Sequence, residues 1–132
     1  MKINSAIKQG VEILKSNYIS SAQLDSEILM ATAINKDRQY IILNSNKKLN
    51  PNDLINFNKL IKNRSYREPV AYLTNKKFFW KSEFFVTKDT LIPRPDTELL
   101  IECLLKLSRN KNKLSILDIG IGSGCILLSI LK

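Results

Sequence analysis

Histidine is absent from this sequence, and only two cysteines, Cys103 and Cys125, stand among its 132 residues. Without an imidazole, zinc sites and histidine-dependent acid–base chemistry lose their usual agent. The cysteines lie among leucines and isoleucines, too few for a disulfide framework and without metal-ligand spacing, so no metal site is expected. No apolar run reaches the roughly 18–20 residues that span a bilayer, and the N-terminus lacks a charged-then-apolar signal pattern. These absences predict a soluble protein of a reducing compartment, with no membrane partner.

Acidic residues are also scarce. Twelve Asp or Glu face 21 Lys or Arg, a net charge of +9. Between residues 36 and 83 there are eleven basic residues against only Asp37, Asp53, Glu68 and Glu83. Such an excess suits an acidic partner, whether nucleic acid or an acidic protein face. The other reading is a lysine-rich solvated surface, and the many asparagines between the lysines favour it. At 44% hydrophobic and 25% charged, the chain is globular in composition. Its length allows one domain, or a small domain plus part of another.

What is present begins with helical periodicity. Ile3, Ile7, Val11 and Leu14 predict a helix over 3–16, weakened by Gly10. Ser20 and Gln23 have capping-box spacing, opening a second helix with Leu24, Ile28 and Ala31 on one face. A short helical turn is expected through Tyr40 to Leu43. Asn50-Pro51-Asn52-Asp53 is a helix start with cap, Pro at the first position and an acid near the positive dipole end. Leu54, Phe57, Leu60 and Ile61 form its buried stripe. Amphipathic helices of this kind must pack on one another, so a helical bundle is predicted over 1–73.

The pattern then changes. Two aromatic runs in Phe78 to Val86, split by a polar break, predict a β-hairpin within a linker over 74–90. Asp96 after Pro95 is expected to cap a helix with apolar positions Leu100, Leu104 and Leu107, and 109–113 to be a solvated loop. Leu114 to Ile119 reads as a strand buried on both faces, the kind found in parallel sheets. Gly120, Gly122 and Gly124 follow it directly, and a helix is expected from Cys125 to Leu131.

Glycines after a strand allow a tight turn and close approach of a ligand to the backbone. Their G-x-G-x-G spacing differs from the dinucleotide fingerprint. Asp118, at the carboxyl end of the expected strand, would repel a pyrophosphate and suit a cationic ligand such as S-adenosylmethionine. The competing account is a glycine-rich turn that binds nothing.

Three segments carry a resemblance: Arg67-Glu68-Pro69-Val70-Ala71-Tyr72-Leu73, Leu91-Ile92-Pro93-Arg94-Pro95-Asp96-Thr97-Glu98, and Leu117 to Gly124. Together they resemble the N-terminal part of the bacterial release factor glutamine methyltransferase family. Pro95-Asp96-Thr97 favours this branch over the similar ribosomal-protein glutamine methyltransferases. Two departures stand out. Asn75 occupies a position usually held by glycine, and asparagine tolerates the left-handed backbone such a turn needs. Phe78 replaces a common charged residue and is expected to enlarge an exposed aromatic edge.

The resemblance implies an α+β chain: a substrate-recognition bundle, the hairpin linker, and, over 91–132, the start of a truncated Rossmann-like methyltransferase domain. It implies S-adenosylmethionine as cofactor, with Gly120, Ile121, Gly122, Ser123 and Gly124 along its methionine and ribose and Asp118 at its amino group. Arg94 and Thr97 would close the pocket. From spacing alone, Arg94 and Glu98 read equally as a surface ion pair. Class I peptide chain release factors are the implied partners, methylated at the glutamine of Gly-Gly-Gln. A cytoplasmic monomer without direct nucleic-acid binding is expected.

An amide nitrogen is a poor nucleophile, and the family orients it with an Asn-Pro-Pro-Tyr motif. This sequence has no such motif, because Asn50-Pro51 continues as Asn52-Asp53. The acidic residue for the ribose hydroxyls is missing too. No catalytic residue is assigned, and residues 1–132 alone are expected not to catalyse. The lone strand would carry two unpaired edges, so the tail is expected to be part of a larger domain or poorly ordered. The alternative is a non-catalytic helical module binding protein or RNA, in which neutralising Lys47, Lys48, Lys62 and Arg64 weakens binding.

Overall fold

A computed structural model describes residues 1–110 and 113–131, and they divide between two compact units, Met1–Thr74 and Asn75–Lys132. The class is α+β: mostly helical, with one two-stranded antiparallel sheet among the described residues. No helix among these residues is long and apolar enough to cross a membrane.

The first unit holds α1 (Ile3–Ser16), α2 (Ala22–Ala33), α3 (Arg38–Leu43), α4 (Pro51–Ser65) and α5 (Val70–Thr74). Helix α1 buries the predicted Ile3, Ile7, Val11 and Leu14. Its first N–H groups, which have no partner inside the helix, donate to the Lys47 and Ser45 carbonyls, from Ile3 at 3.0 Å and Asn4 at 2.9 Å. Helix α4 starts where Asn50 and Pro51 predict, the Asn50 side chain accepting from the Asn52 N–H at 3.2 Å. Phe57 and Ile61 of its stripe are buried, with Leu54 and Leu60 partly so. Asp37 caps α3 through the Tyr40 N–H at 2.7 Å.

Helix α2 departs from the prediction. The residue before it is Ser21, and no side-chain cap forms. The Ser21 hydroxyl donates instead to Asp25 at 2.8 Å. Leu24 is 44% exposed and Ile28 half-buried, whereas the predicted Ala31 is buried on a face it shares with Ala22, Asp25, Ser26, Leu29 and Met30. That face packs against α1 and α4 and carries the Asp25 carboxylate to Arg64. Gly10 has a packing role that helix propensity does not reveal. A Cβ there would lie 2.9 Å from Phe57 Cζ, 3.0 Å from Ile61 Cδ1 and 3.1 Å from Ser26 Oγ.

The second unit opens with β1 (Lys76–Phe79) and β2 (Ser82–Phe85), joined by Trp80 and Lys81. Phe79 and Phe84 turn inward and meet edge-on, their centroids 6.2 Å apart. The opposite face exposes Phe78 and Phe85, so the expected aromatic edge is present. Asn75 adopts φ 55°, and its side-chain amide donates to the Val86 carbonyl at 3.1 Å. The turn keeps its left-handed geometry without glycine. A single 3-10 turn (Pro95–Thr97) leads into α6 (Glu98–Ser108), and α7 spans Cys125–Ile130.

Three expectations fail here. Asp96 lies inside the 3-10 turn, and α6 begins after Thr97 without a side-chain cap. Its buried position is Ile101, packed with Phe79, Phe84 and Cys125, while Leu100 and Leu107 are exposed. Residues 114–119 form no strand, with Leu117 and Ile119 more than four-fifths exposed. A strand is defined by its neighbour's N–H and C=O groups, and among the described residues the hairpin offers this segment none. Of the loop expected over 109–113, residues 111 and 112 lie outside the described residues, as does residue 132.

Candidate functional site

The glycine loop lies within the second unit, between the irregular 113–118 segment and α7. Gly120, Gly122 and Gly124 have φ of 81°, 53° and 73°, all in the left-handed region that side chains rarely enter. Nothing lies within 4 Å of where a Cβ at Gly120 would be, and only the Gly120 carbonyl, at 3.8 Å, near one at Gly122. The backbone there is open to an approaching ligand. The Gly124 N–H donates to the Ile121 carbonyl at 2.8 Å, and the Gly124 carbonyl accepts from Leu128 at 2.9 Å as α7 starts. Ile121 is exposed, and Ser123 is half-buried.

Asp118 holds the charge of the loop. Its Oδ2 is buried and has no hydrogen-bond partner among the described residues. A buried carboxylate oxygen without a donor costs about 1–3 kcal/mol or more. A cationic group brought to that oxygen would supply the missing donor.

The other sequence-predicted residues lie at the start of α6. Arg94 is exposed at the start of the 3-10 turn, and its carbonyl accepts from the Thr97 N–H at 3.1 Å. Thr97 is half-buried before α6, and α6 packs on α7. The cleft reaching Ser123, about 510 Å³, is lined by Ser82, Glu83, Phe84, Phe85, Leu128 and Leu131 besides, and not by Arg94 or Thr97. The described residues show no Arg94–Glu98 ion pair. Glu98 turns to the hairpin, where its Oε1 accepts the Trp80 N–H at 2.9 Å.

Two features of this unit escape sequence reasoning. Trp80 has φ 54°, a left-handed position that neither its chemistry nor its neighbours announce. Ser129 is buried, its hydroxyl has no partner among the described residues, and it lines a cavity of about 320 Å³ with Trp80, Lys81, Ser82 and Leu105. In the first unit, the proposed basic set loses a member. Arg64 is held by Asp25 at 2.7 Å and donates to the Glu68 carbonyl at 3.2 Å, so it is not a free surface cation.

Comparison with known proteins gives the family. Residues 5–74 match the model of the PrmC N-terminal domain. The chain belongs to that family. It is 42% identical over 130 residues to the release factor glutamine methyltransferase of Buchnera aphidicola subsp. Baizongia pistaciae, covering 98% of this chain and 47% of that protein. The release factor glutamine methyltransferase of Leptospira interrogans is 40% identical over 129 residues, covering 97% of this chain and 45% of the relative. A bifunctional methyltransferase of Rickettsia felis is 34% identical over 156 residues, covering 98% and 30%. The chain therefore spans about half the length of the release factor glutamine methyltransferases it matches. The PrmC N-terminal match ends at residue 74, where the first compact unit also ends.

Proposed function

We propose that this chain is the substrate-recognition and cofactor-entry half of a release factor glutamine N5-methyltransferase dependent on S-adenosylmethionine. The observation that carries the reading is similarity at 42% identity extending past the helical unit and through the glycine loop. In this reading 1–73 recognises a class I release factor, 74–90 links, and 91–132 begins a Rossmann-like domain.

The loop's chemistry supports the cofactor. S-adenosylmethionine, when bound, supplies an electrophilic sulfonium methyl and carries a cationic amino group. Asp118 would hold that amino group through its unpartnered Oδ2. The open backbone of Gly120, Ile121 and Gly122 would pass along the methionine and ribose, with Ser123 and Gly124 completing the turn. Arg94 and Thr97 would close the pocket from the start of α6. Asn-Pro-Pro-Tyr is not among these residues, and no catalytic group is assigned within them. The protein would act as a cytoplasmic monomer.

The test uses the full-length gene product with methyl-labelled S-adenosylmethionine, purified release factor and purified ribosomal proteins. Label on the Gly-Gly-Gln glutamine, located by mass spectrometry, is expected. Label confined to a ribosomal protein would replace the substrate, and no transfer to any glutamine would overturn the reading.

A further inference from the structure

A second charged site lies in the helical unit. Lys36 and Lys47 place their ammonium groups 5.8 and 5.6 Å from the Tyr40 ring centroid. Lys47 also donates to the Tyr40 hydroxyl at 2.8 Å, and that bond raises its pKa above the ordinary 10.5. Lys48 joins them along a cavity of about 230 Å³, which Asn50 and Asp53 also line. None of the three lysines forms an ion pair among the described residues.

The charge count selects the ligand. Three ammoniums less the Asp53 carboxylate leave two positive charges on the cavity wall. One carboxylate would neutralise half of that, whereas a phosphate group carries about −1.5 to −2. The charged donors lining it are all lysines, which bind phosphate as point charges, and the lining includes no arginine fork of the kind that grips a carboxylate bidentately. We infer that the cleft formed by Lys36, Tyr40, Lys47 and Lys48 binds the dianionic phosphate of a free phosphorylated ligand, a monoester or pyrophosphate. The site lies in the helical unit and does not depend on the methyl-transfer reading.

The test is NMR titration of the whole chain with inorganic pyrophosphate, reading the Tyr40 ring resonances. Saturable shifts are expected. Lys36→Gln with Lys47→Gln should weaken binding by about fivefold or more, while Lys59→Gln with Lys62→Gln should leave it unchanged. Tyr40→Phe, which keeps all the charges, should retain binding when read at the backbone amides of residues 36–48, and an unchanged circular dichroism spectrum of the lysine double variant excludes a folding artefact. A parallel titration with a short oligouridylate, whose phosphodiesters carry one charge each, should show weaker binding than pyrophosphate; tighter binding would overturn the choice of a dianionic phosphate. Shifts that do not saturate would overturn the inference. So would equal losses in both lysine pairs, or an oligoglutamate that binds as tightly as pyrophosphate.

Discussion

Arg64 of α4 places its Nε 2.7 Å from Oδ2 of Asp25 on α2, joining two helices through side chains 39 residues apart. Asp25 is only 5% exposed, and the Ser21 hydroxyl donates to the same oxygen. A carboxylate so buried is tolerable only while its donors stay in place.

Arg64→Ala removes the charged donor and leaves the Ser21 hydroxyl on Asp25. A fully buried pair broken on one side costs about 3–5 kcal/mol. Because Arg64 is partly exposed, about 2–4 kcal/mol is expected here after solvent screening. Urea unfolding followed by circular dichroism measures it. A loss under about 0.5 kcal/mol would place this pair with ordinary surface ion pairs.

At Gly10 two effects oppose each other. Alanine gains about 1 kcal/mol of helix propensity. Its Cβ would press on the buried Phe57 ring and on Ile61 and Ser26, all at 2.9–3.1 Å, and overpacking of this kind costs about 1–3 kcal/mol. Packing wins, so Gly10→Ala should lose stability, by up to about 2 kcal/mol in the same unfolding experiment. A gain would show that the three helices have room to separate.

Glu27 gives a pH dependence. Burial pushes its carboxyl up, but hydrogen bonds from Gln23 and Arg38, with the Arg38 charge, outweigh this and hold the pKa below 4.5. The charged form is thus favoured on folding. Its stabilisation is present above pH 4.5 and is lost as pH falls through the lower folded value. NMR titration of the Glu27 carboxyl should show a midpoint that rises in Arg38→Ala. An unchanged midpoint would remove Arg38 from the explanation.

Glu98 reaches out of its own helix to fix the hairpin turn. Glu98→Ala strips the Trp80 N–H of its acceptor, at a cost of about 1–2 kcal/mol. Amide exchange at Trp80 should then quicken by roughly tenfold, since 1.4 kcal/mol is a factor of ten. Glu98→Gln, which keeps an acceptor oxygen, should restore most of the protection. Equal exchange in all three proteins would contradict the contact.

Features set by adjacent residues were legible in the sequence. The α4 start follows from Asn50-Pro51, the buried stripe of α1 from its 3.6-residue period, and the tolerance of Asn75 for φ 55° from its side chain. Features decided across the chain were not. The face of α2 depends on Arg64, and the role of Gly10 on Phe57. The run from Leu114 to Ile119 has a strand's composition, but pairing requires a neighbour. Within the candidate site the glycines behave as their spacing suggests, each with positive φ. The cleft beside Ser123 is lined by hairpin residues that spacing could not anticipate.

Asp118 and the glycines that follow it carry the proposed cofactor binding. Calorimetric titration of the full-length gene product with S-adenosylmethionine tests them directly, comparing the native protein with Asp118→Asn and Gly122→Val. Native binding should weaken by about tenfold in Asp118→Asn, the loss of one charge-assisted hydrogen bond. It should be abolished in Gly122→Val, where a β-branched side chain must enter φ 53° beside the ligand. Unchanged affinity in both variants, with the fold intact by circular dichroism, would contradict the assignment of this loop to the cofactor.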